Sequence, residues 1–182
     1  DLGVLEKVGP NVPVTWCARM ILQRKHNGDP RRTIDLQPLN RACRRQTHHT
    51  APPLQQAQTV PHNTLKSTND MWNGYHSVKV REQDRHYLTF VTPWGRYRCI
   101  TAPQGWVASG DGYTHRYDII TEKVENKRRI VDDTLLYDNN IKEAFIHNAE
   151  YLTLVGRNGM ILHPDKFTFA QETVDWAGIR IT

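Results

Sequence analysis

Apolar residues along this chain come in short runs, which polar or helix-breaking residues interrupt after roughly four to eight positions, a spacing that favours strands and modest helices. Val14 to Lys25 and Arg31 to Leu36 read as strands, and the glycine and proline of His26-Asn27-Gly28-Asp29-Pro30 predict a β-turn between them. Ala51-Pro52-Pro53-Leu54 then breaks regular structure. Asp84 to Val91 and Arg96 to Ile100, separated by Thr92-Pro93-Trp94-Gly95, predict a second hairpin. A helix is predicted from Ser109 to about Lys123, although Gly110 and Gly112 weaken its start. Ile130 to Tyr137 reads as a strand interrupted by two aspartates. Ile141, Ala144, Phe145, Leu152 and Val155 recur at helical spacing between Asn140 and Gly159, with Asn140 as N-cap and Gly156 or Gly159 as terminator. Val174 to Thr182 reads as a closing strand. Strands and helices mixed without regular βαβ alternation predict an α+β fold.

Composition narrows the function classes. At 182 residues and 38% hydrophobic, the chain suffices for one domain or two small lobes with a modest core. No run approaches the roughly 18 apolar residues of a membrane span, and the N-terminus lacks a basic start followed by an apolar stretch. The expectation is a soluble, unsecreted protein without a membrane partner. Three widely spaced cysteines, Cys17, Cys43 and Cys99, suggest neither a disulfide framework nor a CxxC zinc site. Of the nine histidines only His48-His49 are adjacent, which disfavours a histidine metal site. A net charge of +5 and a pI near 9.2 fit a polyanionic partner. The basic residues crowd at Arg19 to Arg45, around the first turn, where they are well shaped to meet phosphates, and again at Lys123 to Arg129, where solvated surface is an equal reading.

The chemistry is carried by carboxylates. Asp132 and Asp133 stand side by side between apolar runs, and Asp70 lies upstream in Asn69-Asp70-Met71-Trp72-Asn73-Gly74-Tyr75. Adjacent like charges near a core need a cationic partner, and Mg²⁺, which takes carboxylate oxygens together with substrate phosphates, supplies one economically. A loop or solvated turn remains the alternative for the pair, and an Asx-turn the alternative for Asp70.

Several further segments fall in the order of one family's motifs: Arg31-Arg32-Thr33-Ile34-Asp35-Leu36-Gln37-Pro38-Leu39-Asn40, Asp70 to His76, Pro103-Gln104-Gly105-Trp106, Val131-Asp132-Asp133 and Pro164-Asp165-Lys166. Together they resemble a reverse transcriptase, most closely the polymerase region of gypsy-type LTR retrotransposons. The resemblance runs from Gly3-Val4-Leu5 and Trp16-Cys17-Ala18-Arg19-Met20 to Trp176-Ala177-Gly178.

That resemblance implies a right-hand polymerase, with an antiparallel palm sheet backed by helices. Fingers would comprise residues 1–45 and 78–108, and palm residues 46–77 and 109–182; thumb, connection and ribonuclease H are not expected. It implies an RNA-directed DNA polymerase, a nucleotidyltransferase adding deoxynucleotides to a primer 3′-hydroxyl by two-metal phosphoryl transfer. Asp70, Asp132 and Asp133 would be the catalytic carboxylates and ligands of Mg²⁺, or of Mn²⁺ as a substitute. Lys166 resembles the lysine proposed to protonate the pyrophosphate leaving group, with a solvated surface lysine as the alternative. Lys25 and Arg31, with Arg24 or Arg32 as a substitute, match positions that contact the incoming triphosphate. Tyr75, after Gly74, resembles the steric gate against ribose, and Gln104 the residue beside the nucleotide sugar and template base. The implied partners are an RNA or DNA template with a DNA primer, deoxynucleoside triphosphates and the rest of a retroelement polyprotein. The implied location is a cytoplasmic retroelement particle with a nuclear phase. Ile130 departs from the family, which usually has Tyr or Phe there, and puts primer positioning in doubt. A degenerate retroelement remnant that only binds nucleic acid is the alternative function. An RRM-like module is disfavoured for want of an RNP1-like run.

Overall fold

A computed structural model describes residues 3–24, 28–44, 50–72 and 74–182, and of Arg31 only the backbone. The first strands are β1 (Leu5–Val8), β2 (Ala18–Arg24) and β3 (Pro30–Ile34), followed by helices α1 (Gln37–Ala42) and α2 (Pro53–Gln58). Next come β4 (Leu65–Asp70), β5 (Thr89–Thr92), β6 (Gly95–Cys99), helix α3 (Val107–Ile120), β7 (Lys127–Ile130) and β8 (Asp133–Asp138). Helix α4 (Ile141–Arg157) and strands β9 (Thr168–Gln171), β10 (Val174–Trp176) and β11 (Ile179–Ile181) complete the chain. Antiparallel-rich sheets mixed with helices make the fold α+β, and among the described residues no helix is long and apolar enough to cross a membrane.

The chain divides into two compact units, residues 1–47 with 75–113 and residues 48–74 with 114–182. The first holds a five-stranded sheet in the order β1-β6-β5-β2-β3. Its β2–β3 hairpin pairs Met20 with Ile34 and Arg24 with Pro30, as the strand pattern predicts. Leu36, Leu39, Leu88, Phe90 and Cys99 form the core of this unit, and burial pushes the Cys99 thiol up to about 12. The predicted strand from Asp84 is corrected: Glu82–Leu88 is a 3-10 helix, and only Thr89 onward pairs in the sheet. Glu82 and Asp84 favour the N-terminal turn of such a helix, and Asp84 binds Arg81.

The second unit is built on a four-stranded sheet, β7-β8-β4-β9, with a separate β10–β11 hairpin. The predicted interrupted strand is that hairpin's counterpart, β7 turning into β8, with Ile130 opposite Asp133 and Val131-Asp132 as the loop. The predicted closing strand is likewise a hairpin, reversing at Ala177 and Gly178, both with positive φ. Pro52-Pro53 starts a helix rather than merely breaking structure, because proline suits the first helical positions. Leu135 and Tyr137 pack with Ala57, Val60, Val174, Trp176 and Ile181 on one side of the sheet. Helix α4 covers the other side, where Asn148 donates to Ser67 Oγ at 3.1 Å. Its N-cap is Asn140, whose side chain accepts from Glu143 N at 3.0 Å, and its last turn closes on Gly159 at φ +71°. The buried face is Ala144, Asn148, Tyr151 and Val155, which leaves Ile141, Phe145 and Leu152 exposed.

Candidate active site

Strand β4 is the centre of the site. It is flanked on both sides, by β8 and β9, so its residues are buried despite being polar, and each must find a partner. Lys66 Nζ donates to Glu172 O at 2.9 Å, Ser67 Oγ accepts from Ala170 N at 3.0 Å, and the Thr68 and Thr168 hydroxyls lie 2.5 Å apart. This meshing fixes the register, and the register delivers Asp70 to the end of β4 directly opposite Asp133. Residues paired this way project from the same face of a sheet, so Asp70 and Asp133 share the face away from α4. Asp132 is the last loop residue before β8, and its carbonyl accepts from Met71 N at 3.1 Å. Asp70 and the distant adjacent pair Asp132-Asp133 thus stand at one end of one sheet.

The loop that presents Asp132 is strained. Val131 has φ +53°, a left-handed conformation that a β-branched residue adopts only under constraint, at a cost of order 1–3 kcal/mol. Arg129 supplies the constraint. Only 7% exposed, it donates through NH1 to Val131 O at 3.1 Å and through NH2 to Asp118 Oδ1 at 3.0 Å. Its guanidinium also lies 4.8 Å from the centroid of the Tyr117 ring. Lys127 and Arg128 are bedded similarly, over Tyr117 and Tyr137. The β7 part of the second basic cluster is therefore structural. Arg129 and Asp118, which brace the loop carrying Asp132, are positions that the sequence reading missed. Strand alternation separates Arg129 from Arg128 but not from Lys127, which shares its face and also lies over Tyr117, so no local signal singles it out.

Electrostatically the site has less positive charge than its three carboxylates call for. Burial pushes the Asp132 carboxyl above its ordinary range, Asp70 and Asp133 push it further, and Arg129 and Lys166 pull it back. Asp133 is raised by burial first, then by the charge of Asp70 and a hydrogen bond with it. Asp132 Oδ1 is buried with no hydrogen-bond partner. Lys166 meets this cluster from a 3-10 turn, Pro164–Lys166, and donates to Asp70 Oδ2 at 2.7 Å. That hydrogen bond, above all, raises the ammonium's pKa. The turn itself is tied to β4, since His163 N donates to Asp70 O at 2.9 Å. Among the described residues no three His, Cys, Asp or Glu side chains stand ready to hold one ion. The donor set nevertheless fits a hard cation: carboxylate oxygens, one of them unpartnered, with their mutual repulsion only partly compensated by Arg129 and Lys166.

The remaining candidates belong to the first unit. Lys25 lies outside the described residues, as does the Arg31 side chain. Arg32 is exposed on β3 with its guanidinium 5.9 Å from the Phe90 ring centroid. Tyr75 opens a 3-10 turn, half-buried, its ring edge-on to Tyr113 at 5.9 Å. Gln104 is exposed in a turn closed by Gly105 at φ +91°, whose carbonyl accepts from Asn40 Nδ2 at 2.8 Å. Sequence motif and structure meet in the family comparison. The family described as "Reverse transcriptase (RNA-dependent DNA polymerase)" matches residues 23–181.

The chain belongs to the reverse transcriptase family. Relatives of this reverse transcriptase chain include a polyprotein of Cassava vein mosaic virus, 25% identical over 85% of the chain, and the Transposon Tf2-3 polyprotein of Schizosaccharomyces pombe, 23% identical over 93%. The chain spans only 24% and 13% of their respective lengths. In fold it is similar to the foamy viral protease-reverse transcriptase, with a TM-score of 0.91 at 18% identity, over 99% of this chain and 31% of that one. A second structure of that viral enzyme gives 0.89 at 18% identity, over 99% and 24%.

Proposed function

We propose that the protein is an RNA-directed DNA polymerase segment, extending a DNA primer on an RNA or DNA template from deoxynucleoside triphosphates. The observation that carries this reading is Asp70 facing Asp133 across the β4–β8 ladder, beside Asp132 with its unpartnered oxygen. Membership of the family and likeness to viral structures described as complexes with double-stranded DNA and with an RNA/DNA hybrid support it. We assign the unit of residues 1–47 and 75–113 to fingers and that of 48–74 and 114–182 to palm, an assignment that the division of the chain into these two compact units supports.

Asp70, Asp132 and Asp133 would hold Mg²⁺, or Mn²⁺ in its place. When bound, such a pair of ions supplies charge neutralisation at the attacking and leaving oxygens. The chain's own residues do the positioning. The β4–β8 register sets the carboxylates, and Arg129 holds the loop that carries Asp132. Arg32, with Lys25 and Arg31, would bind the triphosphate, a guanidinium bidentately and an ammonium as a point charge. Tyr75 would place an aromatic ring against a ribose 2′-hydroxyl, and Gln104 would pack beside sugar and template base. Lys166 would donate its proton to the departing pyrophosphate. Primer extension by the chain on an RNA template, with and without Mg²⁺, tests the reading. Metal-dependent incorporation lost in Asp132→Asn is expected. Incorporation that survives Asp70→Asn and Asp132→Asn together would refute it.

A further inference from the structure

The cation on Asp70 is unlike the other cation of the site. Arg129 is almost wholly buried and committed to Val131 O and Asp118, so it cannot leave without releasing the loop. Lys166 is 57% exposed along its side chain, and its ammonium holds a single carboxylate oxygen, Asp70 Oδ2, at 2.7 Å. The backbone beneath it is fixed independently of that contact. His163 N donates to Asp70 O, Lys166 N to His163 O at 3.2 Å, and Met71 bridges to Leu162. Only the side chain is free to swing. A compact, strongly hydrated ammonium on a flexible stem is easily exchanged for another cation. One such charge also leaves a cluster of three carboxylates undercompensated, which a divalent ion would correct better.

We propose that Lys166 is the resident counter-ion of the carboxylate cluster in the metal-free protein, and that divalent metal binding displaces it from Asp70. This rests on the reading of Asp70, Asp132 and Asp133 as metal ligands. Its consequence is ordering: the ammonium turns toward a triphosphate only after Asp70 has been taken by the metal. Lys166 thus links metal occupancy to delivery of the leaving-group proton, and it competes with the metal in doing so.

Mn²⁺ binding to the full chain, measured by electron paramagnetic resonance, tests the competition without any turnover. Lys166→Met should bind Mn²⁺ roughly two- to fivefold tighter than the wild type, the range set by an exposed ion pair. Lys166→Arg, which keeps a cation within reach, should not gain affinity. In thermal melts, Lys166→Met should be less stable than wild type without metal, and the difference should shrink at saturating Mg²⁺. Lys166→Gln, polar and similar in length, repeats both measurements should the methionine variant misfold by circular dichroism. Unchanged or weaker Mn²⁺ affinity in the folded variant, while Asp70→Asn loses binding, overturns the counter-ion role and leaves the active-site reading standing. Wild-type protein that binds no Mn²⁺, or Asp70→Asn that binds it as well as wild type, overturns both.

Discussion

Replacing Arg129 by methionine keeps most of the buried stem and removes the guanidinium that holds the Asp132 loop. Three interactions go: the hydrogen bond to Val131 O, the ion pair to Asp118 and the stacking on Tyr117. The carbonyl bond is worth about 1 kcal/mol, and the cation–π contact about 0.5–1 kcal/mol. Asp118 is 42% exposed, so its ion pair is discounted to below about 1 kcal/mol. Relief of guanidinium burial offsets part of the sum, leaving about 2 kcal/mol. For a domain of this size that corresponds to a fall in Tm of about 4–8 °C. Val131 would also relax from its left-handed conformation, so Asp132 would lose its placement and primer extension would fall more than stability alone explains. Because Arg129 holds the Asp132 pKa down, the acidic limb of the pH–rate profile should move to higher pH. Arg129→Lys, able to satisfy one partner, should be intermediate. Differential scanning calorimetry reads the first effect and the pH profile of single-turnover incorporation the second. A Tm within about 1 °C of wild type, or an unmoved acidic limb, would refute the assignment of Arg129 as the pin.

Asp132→Asn should stabilise the metal-free protein at neutral pH while abolishing Mg²⁺-dependent extension. The folded state holds a proton on Asp132 more tightly than the unfolded chain. Wild-type stability therefore falls as pH rises from the unperturbed value of 3.8 through the raised folded one, and the variant's advantage should vanish below that window in melts across pH. Val131→Gly should gain about 1 kcal/mol in urea unfolding, since glycine adopts positive φ without strain; a loss of stability would mean the loop's conformation is not strained. Asn140→Ala should cost about 1 kcal/mol by removing the cap on Glu143 N, and no change in the urea midpoint would count against that cap.

The sequence made α4 legible because its cap, period and terminator are all local, and the β2–β3 hairpin because strand pattern and turn agree. Strand β4 was not visible. Lys66-Ser67-Thr68-Asn69 has no apolar alternation, and its burial depends on Thr168, Ala170 and Glu172 about a hundred positions away. The same distance hid the pairing that unites the carboxylates: motifs suggested that Asp70, Asp132 and Asp133 meet, while the ladder and its register are tertiary facts. Glu82–Leu88 misled because a short mixed run carries no period long enough to separate strand from helix. Arg129 was hidden among basic neighbours, since nothing local marks which charge of a run turns inward.

The central position of β4 also sets when the site can exist. Thr68 finds its second neighbour, Thr168, 100 residues downstream. During synthesis at roughly 5–20 residues per second, a nascent β4 waits several seconds with one edge unpaired and a row of polar side chains without partners. Asp70 acquires its carbonyl contact with His163, and its salt bridge to Lys166, only within that same interval. The carboxylate cluster therefore cannot be completed until Thr168 has been synthesised, and chains released before that point would carry the first hairpin but no finished cluster.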